Sequence, residues 1–351
     1  MSQKLNVAVI GCGVIGRKHI EAAITLPQVE LVAIADINEQ ALQQIATQYG
    51  VKKTYTDAES LLGDSEVEAV VLALPTNIRS KLALETLRQH KHLLLEKPAA
   101  MNSSELQQLL DLQTSQKIAC ASSRFALYES AFKAAEVVQS GELGPLRLVR
   151  CRALIPAKPA PDVLPPAWRL KRSMNGGGIL LNWGVYDLDY LMALTAWQLK
   201  PQEILAQTWA IPESYQPHVV ANSDAETYIA AFIRCEGGEV ISFERGEYMA
   251  ASKDEAWQLV GEKGSLRMRM VPDKPKEIFL DKADAKHGVL SESIWQGQES
   301  YADIHMRPLD DFATAILEEK EPSTGLKQAL QIQKLTDAIY TSAEQGKAIT
   351  I

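Results

Sequence analysis

Asn6-Val7-Ala8-Val9-Ile10-Gly11-Cys12-Gly13-Val14-Ile15-Gly16 sets the architecture of this chain. The β-branched run Asn6–Ile10 reads as a buried strand, and it leads straight into a G-x-G-x-x-G turn. A helical pattern follows, with Ile20, Ala23 and Ile24 on one face. Each glycine has a physical task. Gly11 turns the chain tightly, Gly13 lets the backbone approach a pyrophosphate, and Gly16 lets helix and strand pack closely. The pyrophosphate then meets the free N–H groups and positive dipole end of a helix that starts around Val14 and Ile15. The three glycines alone are weak evidence. A strand before and a helix after supply the context.

Working outward, Leu31–Ala35 is a second strand, and it ends in Asp36. That aspartate stands 20 residues past Gly16, where a ribose-binding acid is expected. Its carboxylate accepts from the 2′-hydroxyl and repels a 2′-phosphate. Ile37 and Asn38 follow with no cation to receive that phosphate, so NAD is favoured over NADP. The alternative is a plain helix N-cap. A third run, Ala69–Leu74, stops at Pro75-Thr76-Asn77, a strand end expected to face the cofactor, and a helix follows from about Ser80 to Gln89.

The next strand is His92-Leu93-Leu94-Leu95-Glu96-Lys97-Pro98. A continuous apolar run suits a strand buried on both faces of a parallel sheet, and Pro98 must end it. Lys97 therefore lies at the carboxyl end of a strand, the edge at which open α/β sheets bind ligands. It can meet a substrate with three donors or hold a neighbouring acid ionised; a solvated strand-end lysine is the alternative. Asn102, with Glu105 three residues on, starts another helix. Strands and helices alternate in this way to about Ala121, which describes a doubly wound parallel α/β domain.

At 351 residues the chain is long enough for two domains. Its 23% charged and 46% hydrophobic residues place it among soluble globular proteins. With a net charge of −8 and no basic tract, a nucleic-acid partner is not expected. The four cysteines have no disulfide or metal spacing, which suits a reducing cytoplasm. The six histidines show no paired spacing, so no metal is expected. The apolar stretch from Val7 is broken by glycines, so no signal peptide is expected, and no run is long enough to span a bilayer.

From Pro145 the pattern changes. Leu146–Ile155, Ile204–Ile211, Glu226–Cys235, Glu239–Tyr248, Trp257–Gly261, Ser265–Met270 and Glu277–Leu280 read as strands without helices between them, so a mostly antiparallel sheet is expected. A proline-rich arm between Leu154 and Asn175 carries Trp168, Arg169, Lys171 and Arg172. It is either a cover for the cofactor or substrate, or a solvated loop. After Gly176-Gly177-Gly178 a helical pattern puts Asn182, Tyr186 and Asp189 on one face, a polar row that suggests a cleft wall. Asp310–Glu319 and Leu326–Gln345 read as amphipathic helices.

With the glycine turn, Asp36, Pro75-Thr76-Asn77 and Glu96-Lys97-Pro98 in this order, the chain resembles the glucose–fructose oxidoreductase / inositol dehydrogenase / rhizopine-catabolism (Gfo/Idh/MocA) family. Downstream matches extend the likeness over essentially the whole chain: Arg124-Phe125, Gly141–Gly144, Trp168-Arg169, the three glycines, and Ser342–Lys347. The resemblance implies an N-terminal Rossmann domain, 1–122, and an α+β domain, 123–351, with a large open sheet whose last helices pack back towards the first domain. It implies NAD-dependent oxidation or reduction of sugars, cyclitols and related alcohols by a cytoplasmic homodimer or homotetramer, with the open sheet face packing on a second subunit.

In the family the lysine matching Lys97 contacts the reacting oxygen and the nicotinamide ribose. Glu96 and Arg169 are expected beside the cofactor. The family commonly has an aspartate and a histidine where this chain has Asn182 and Tyr186. Tyrosine has precedents at the second position, so Tyr186 is the expected general acid/base, aided by Lys97, which would favour its phenolate. Asn182 departs from the pattern, because it can orient a hydroxyl but carries no charge. Asp189, Arg124 and Trp168 are expected as further substrate contacts. Two other readings stay open: a redox-neutral enzyme that lends and recovers a hydride, and a sugar sensor that binds NAD without turnover.

Overall fold

A computed structural model describes residues 4–351 as two compact units. One takes the chain through Arg124 together with Ala302–Gln333; the other takes Phe125–Tyr301 and Lys334–Ile351.

The first unit is a six-stranded parallel sheet of β1 (Leu5–Ile10), β2 (Val29–Ala35), β3 (Lys53–Tyr55), β4 (Ala69–Leu72), β5 (His92–Leu95) and β6 (Ile118–Cys120), ordered β3-β2-β1-β4-β5-β6. The order reverses between β1 and β4, as in a doubly wound dinucleotide fold. Helices α1 (Val14–Thr25), α2 (Glu39–Tyr49), α3 (Ala58–Leu62), α4 (Thr76–Arg88) and α5 (Ser103–Leu112) alternate with the strands.

The unbroken leucines of β5 follow from this layering. Leu93 and Leu95 enter a core with Leu87, Leu106 and Leu109, while Leu94 enters a second core on the opposite face with Ile20, Leu42 and Phe312. A strand buried on both faces has no polar side to show. The helix Met306–Leu317 contributes Leu309, Phe312 and Ala313 to that second core. Boundaries differ from expectation: β2 begins at Val29 rather than Leu31, β4 ends at Leu72 rather than Leu74, α4 begins at Thr76 rather than Ser80, and the helix expected over Asp310–Glu319 spans Met306–Leu317.

The second unit holds α6 (Glu129–Gln139), α7 (Arg172–Asn175), α8 (Val185–Leu194) and a nine-stranded sheet. Its strands are β7 (Leu146–Pro156), β8 (Pro201–Trp209), β9 (Tyr228–Cys235), β10 (Val240–Met249), β11 (Asp254–Gly261), β12 (Gly264–Met268), β13 (Lys276–Asp284), β14 (Gly288–Gly297) and β15 (Ile349–Thr350). The order is β14-β13-β12-β11-β7-β10-β9-β8-β15; β7 and β10 pair in parallel and the other neighbours pair antiparallel.

Ile229, Ile233, Ile241, Phe243, Trp257 and Leu259 fill the inner face of this sheet. The alternate residues Leu205, Trp209 and Phe232 stand 54%, 44% and 51% exposed on the outer face, a large apolar surface for a sheet to leave uncovered. Strand β14 was not expected, and it lies at the sheet edge with seven of its ten residues exposed.

Candidate active site

The loop after β1 is built by steric need. Gly11 has φ +98°, and a Cβ there would stand 2.4 Å from the Ala73 carbonyl oxygen, across the point where the strand order reverses. A Cβ on Gly16 would stand 1.7 Å from the Gly11 carbonyl oxygen. At Gly13 a Cβ would meet nothing within 4 Å, so that position keeps space open in front of α1. Gly13 is also the N-cap of α1, which has no side-chain cap and no acid in its first turn. The helix therefore presents unclaimed N–H donors to an anion.

Asp36 closes the loop from β2. Its Oδ2 accepts from the Cys12 N–H at 2.7 Å and its Oδ1 from the Asn38 N–H at 2.8 Å. The cap of α2 falls to Asn38, whose side chain accepts from the Ala41 N–H at 3.0 Å, so Asp36 is not the N-cap. Ile37 beside it is exposed and apolar. Burial, with the Asp36 charge adding to it, pushes the Cys12 thiol up to about 12. Pro75 caps α4, Thr76 is buried and Asn77 exposed. The open cradle at Gly13, the uncapped donors of α1 and the free acceptor capacity of the Asp36 carboxylate fit a dinucleotide with an unphosphorylated ribose.

The end of β5 is clamped from several sides. Arg79, fully buried on α4, donates to the carbonyls of Glu96 and Pro98 and, at 2.6 Å, to that of Leu74. The Glu96 carboxylate accepts from the Lys97 N–H at 3.0 Å, from His19 Nε2 at 2.7 Å and from the Arg124 guanidinium. Burial works against the Glu96 charge, but Arg124 and the His19 hydrogen bond outweigh it and hold the carboxyl well below its usual range. Lys97 itself is half-buried and precedes a cis peptide bond to Pro98. Arg124, expected as a pocket wall, is buried and pairs with Glu96.

Sequence reading passed over His19 and Arg79. A signal for His19 existed. It lies with Gly16, Ile20 and Ala23 on the buried stripe of α1, where a polar residue needs a partner.

In the second unit the three glycines are again required, the first by its backbone angle and the other two by contact. Gly176 has φ +83° and ends α7. A Cβ on Gly177 would stand 1.9 Å from the Tyr340 hydroxyl, and one on Gly178 would stand 1.9 Å from the Glu226 carbonyl. The Glu226 carboxylate accepts from the N–H groups of Gly178 at 2.8 Å and Leu180 at 3.1 Å, and from the Tyr340 hydroxyl at 2.8 Å. It thereby serves as the cap that the local sequence lacks.

Leu180–Gly184 then forms a π turn before α8. This corrects the expected uniform helix: the chain carries a wider i→i+5 turn over Leu180–Gly184, with Asn182 inside it and Tyr186 and Asp189 on the α-helix that follows. Tyr186 is buried, its ring set edge-on to Phe125 at 5.3 Å and to Trp183 at 5.7 Å. Asp189 is buried and Asn182 half-buried. Behind them, Asp187 accepts from Trp257 Nε1 at 3.0 Å and faces Arg245 at 3.4 Å, while Arg245 lies over the Trp183 ring at 4.8 Å. Burial pushes the Asp187 carboxyl up, with Arg245 opposing. On the proline-rich arm Trp168 is exposed, and Arg169 pairs with Glu247 at 2.5 Å and reaches the Tyr248 hydroxyl at 3.4 Å.

Residues 5–123 match the oxidoreductase family with an NAD-binding Rossmann fold, and residues 132–267 match the GFO/IDH/MocA C-terminal domain. The chain is 22% identical to myo-inositol 2-dehydrogenase of Thermotoga maritima over 348 residues, covering 99% of this chain and 98% of that protein. It is 24% identical to D-glucoside 3-dehydrogenase of Escherichia coli K12 over 364 residues, covering 100% of this chain and 98% of that protein. Among solved structures, an oxidoreductase domain protein from Kribbella flavida superposes with TM-score 0.86 at 21% identity, over 99% of each chain. Levoglucosan dehydrogenase in complex with NADH and L-sorbose superposes with TM-score 0.84 at 20% identity, again over 99% of each. Among the described residues no helix is long and apolar enough to cross a membrane. The glycine loop, the Asp36 carboxylate and the clamped Lys97 thus stand in a chain that belongs to the Gfo/Idh/MocA family of NAD-binding oxidoreductases.

Proposed function

We propose that this chain moves a hydride between NAD and a carbinol carbon of a sugar, cyclitol or related polyol. The observation that carries the reading is Lys97, a lysine whose backbone is held at the carboxyl end of β5 in the same unit as a glycine loop and Asp36 that fit NAD. The names of the curated relatives, among them dehydrogenases of myo-inositol, glucosides and levoglucosan, support the substrate class. NAD, when bound, supplies the two-electron acceptor or donor.

The protein's own groups do the rest. The Asp36 carboxylate accepts from the ribose hydroxyls, and the first turn of α1 receives the pyrophosphate. Pro75, Thr76 and Asn77 wall the strand end, and Arg169 is a further cofactor contact. Lys97 donates to the reacting oxygen and stabilises the charge that develops there as the hydroxyl proton leaves. Tyr186 takes or returns that proton. Asn182 and Asp189 hold neighbouring hydroxyls, and Trp168 is a further substrate contact.

We place the enzyme in the cytoplasm as a homodimer or homotetramer assembled through Leu205, Trp209 and Phe232 of the outer sheet face. The test of the site is Lys97→Met and Tyr186→Phe. Each lowers turnover at least about a hundredfold while NADH binding is kept. Turnover near that of the natural protein in either variant removes that residue from the mechanism.

A further inference from the structure

Glu96 stands next to the proposed catalytic lysine, yet it is buried and its two oxygens are claimed by three donors of this chain. They belong to the Lys97 backbone, His19 and Arg124. A carboxylate only accepts, so the His19 ring carries its proton on Nε2. Its other nitrogen, Nδ1, is buried without a hydrogen-bond partner, so the ring's hydrogen bonding goes to Glu96, while it packs edge-on against the His305 ring at 6.2 Å. Arg79 fixes the carbonyls on both sides of Lys97. The Lys97 side chain is thus carried on a backbone held at its own N–H and at the carbonyls of Glu96 and Pro98. His19 lies on α1, the helix whose N-terminus receives the pyrophosphate, so one side chain links that helix to the lysine.

We propose that His19, Glu96 and Arg124 form a buried positioning group for Lys97, and that Glu96 serves the lysine rather than the cofactor. This rests on the catalytic role assigned to Lys97 above. The chemistry of the three acceptor contacts makes the idea testable. Glutamine has the shape of glutamate but only one acceptor oxygen. Whichever way its amide is turned, an NH2 group confronts the Lys97 N–H, the His19 N–H or the Arg124 guanidinium. Glu96→Gln therefore breaks the group without leaving a void. At position 19, leucine fills space without donating, whereas glutamine can donate to Glu96.

The experiment uses the full-length protein. NADH binding is followed by fluorescence. Lys97 is followed by its rate of labelling with trinitrobenzenesulfonate against pH, read by peptide mass spectrometry. Turnover is followed with NAD and a panel of myo-inositol, levoglucosan and D-glucose. In Glu96→Gln the NADH dissociation constant stays within about threefold, while the pH midpoint of Lys97 labelling falls by about one unit as its neighbouring anion is removed. Turnover falls at least about tenfold with the KM for NAD little changed, and the basic limb of the pH–rate profile moves to lower pH. His19→Leu lowers turnover by a similar factor, and His19→Gln recovers most of it.

The labelling does not depend on substrate. A lowered midpoint, with Lys97→Met still turning over, would uphold the positioning group and remove the catalytic role. The proposal is overturned if Glu96→Gln weakens NADH binding more than about tenfold with Lys97 labelling unchanged. It is also overturned if His19→Gln is as impaired as His19→Leu. Should Glu96→Gln not fold, Glu96→Asp keeps the charge and shortens the reach, so turnover falls at least about tenfold while the labelling midpoint and NADH binding are kept; turnover equal to that of the natural protein would overturn the proposal.

Discussion

The backbone N–H of Cys12 donates to Oδ2 of Asp36 at 2.7 Å, so the acid that ends β2 also holds the glycine turn that ends β1. One carboxylate thereby shapes the glycine turn and, in the function proposed above, also accepts from the ribose. Replacing it removes charge-assisted hydrogen bonds that contribute about 1.5–3 kcal/mol. Asp36→Ser combined with Ile37→Arg is expected to lower kcat/KM with NAD at least about tenfold and to raise it with NADP. Parallel steady-state kinetics with the two cofactors check this; an unchanged ratio of NAD to NADP would contradict the assignment of Asp36.

Gly13 and Gly16 separate binding from folding. A Cβ on Gly13 meets open space, so Gly13→Ala should melt at the natural temperature but bind NADH at least about tenfold more weakly. Gly16→Ala forces a methyl into the Gly11 carbonyl and should cost about 3 kcal/mol or more, lowering the melting temperature with or without cofactor. Melting curves and NADH titrations of both variants decide; equal effects of the two substitutions would argue against this division.

Acid should destabilise the protein in two stages. Burial, with Arg124 adding to it, lowers His305 to about 3, whereas an unfolded histidine protonates near about 6.5. Between those values the unfolded state binds more protons, so the His305 contribution is complete above the upper value and is lost as pH falls through the window. His92, depressed by burial, acts in the same direction. Glu96, whose folded carboxyl lies below the usual range, adds its loss only below about pH 4.3. Asp187, Glu226 and Glu247, raised by burial, oppose this: their contribution falls as pH rises through the carboxylate range. Chemical denaturation between about pH 5.0 and 6.5, above the carboxylate range and inside the His305 window, should give a shallower slope for His305→Asn, by up to about 1.4 kcal/mol per pH unit. Superimposable slopes would remove His305 from the account.

The outer sheet face predicts assembly. Phe232→Glu places a charge between Leu205 of β8 and Ser242 of β10, where a partner surface would bury it. Light scattering should show an oligomer for the natural protein and a smaller species for Phe232→Glu, with its melting temperature otherwise kept. A natural protein that is monomeric at micromolar concentration would defeat the expectation.

Much of this was legible in the sequence because it was local. The β1–glycine–α1 sequence, Asp36 at the end of β2 and the leucines of β5 are decided by neighbours a few residues away. Leu326–Gln345 kept its expected bounds because its apolar spacing runs undisturbed to Gly346, which adopts φ +62°. What escaped depends on distant partners. Helix α4 begins at Thr76 because Pro75 suits a position before the first turn, although Pro-Thr-Asn reads equally as a loop. Strand β14 has no buried alternation to betray it, with Val289 and Leu290 exposed, and exists by pairing with β13. The π turn at Leu180–Gly184 is set where Gly184 packs within 3.1 Å of the Phe243 ring, measured to the Cβ it lacks. His19 and Glu96 meet across 77 residues, a distance over which no spacing rule reaches.

The most direct test of the central claim is absorbance at the NADH band, about 340 nm, with NAD and a panel of sugars, inositols and sugar acids, and NADP run in parallel. The account predicts a substrate-dependent rise with NAD, which would also name the substrate class. A flat trace across the panel from protein that binds NAD in a thermal-shift assay would contradict net dehydrogenation and favour redox-neutral chemistry or sensing.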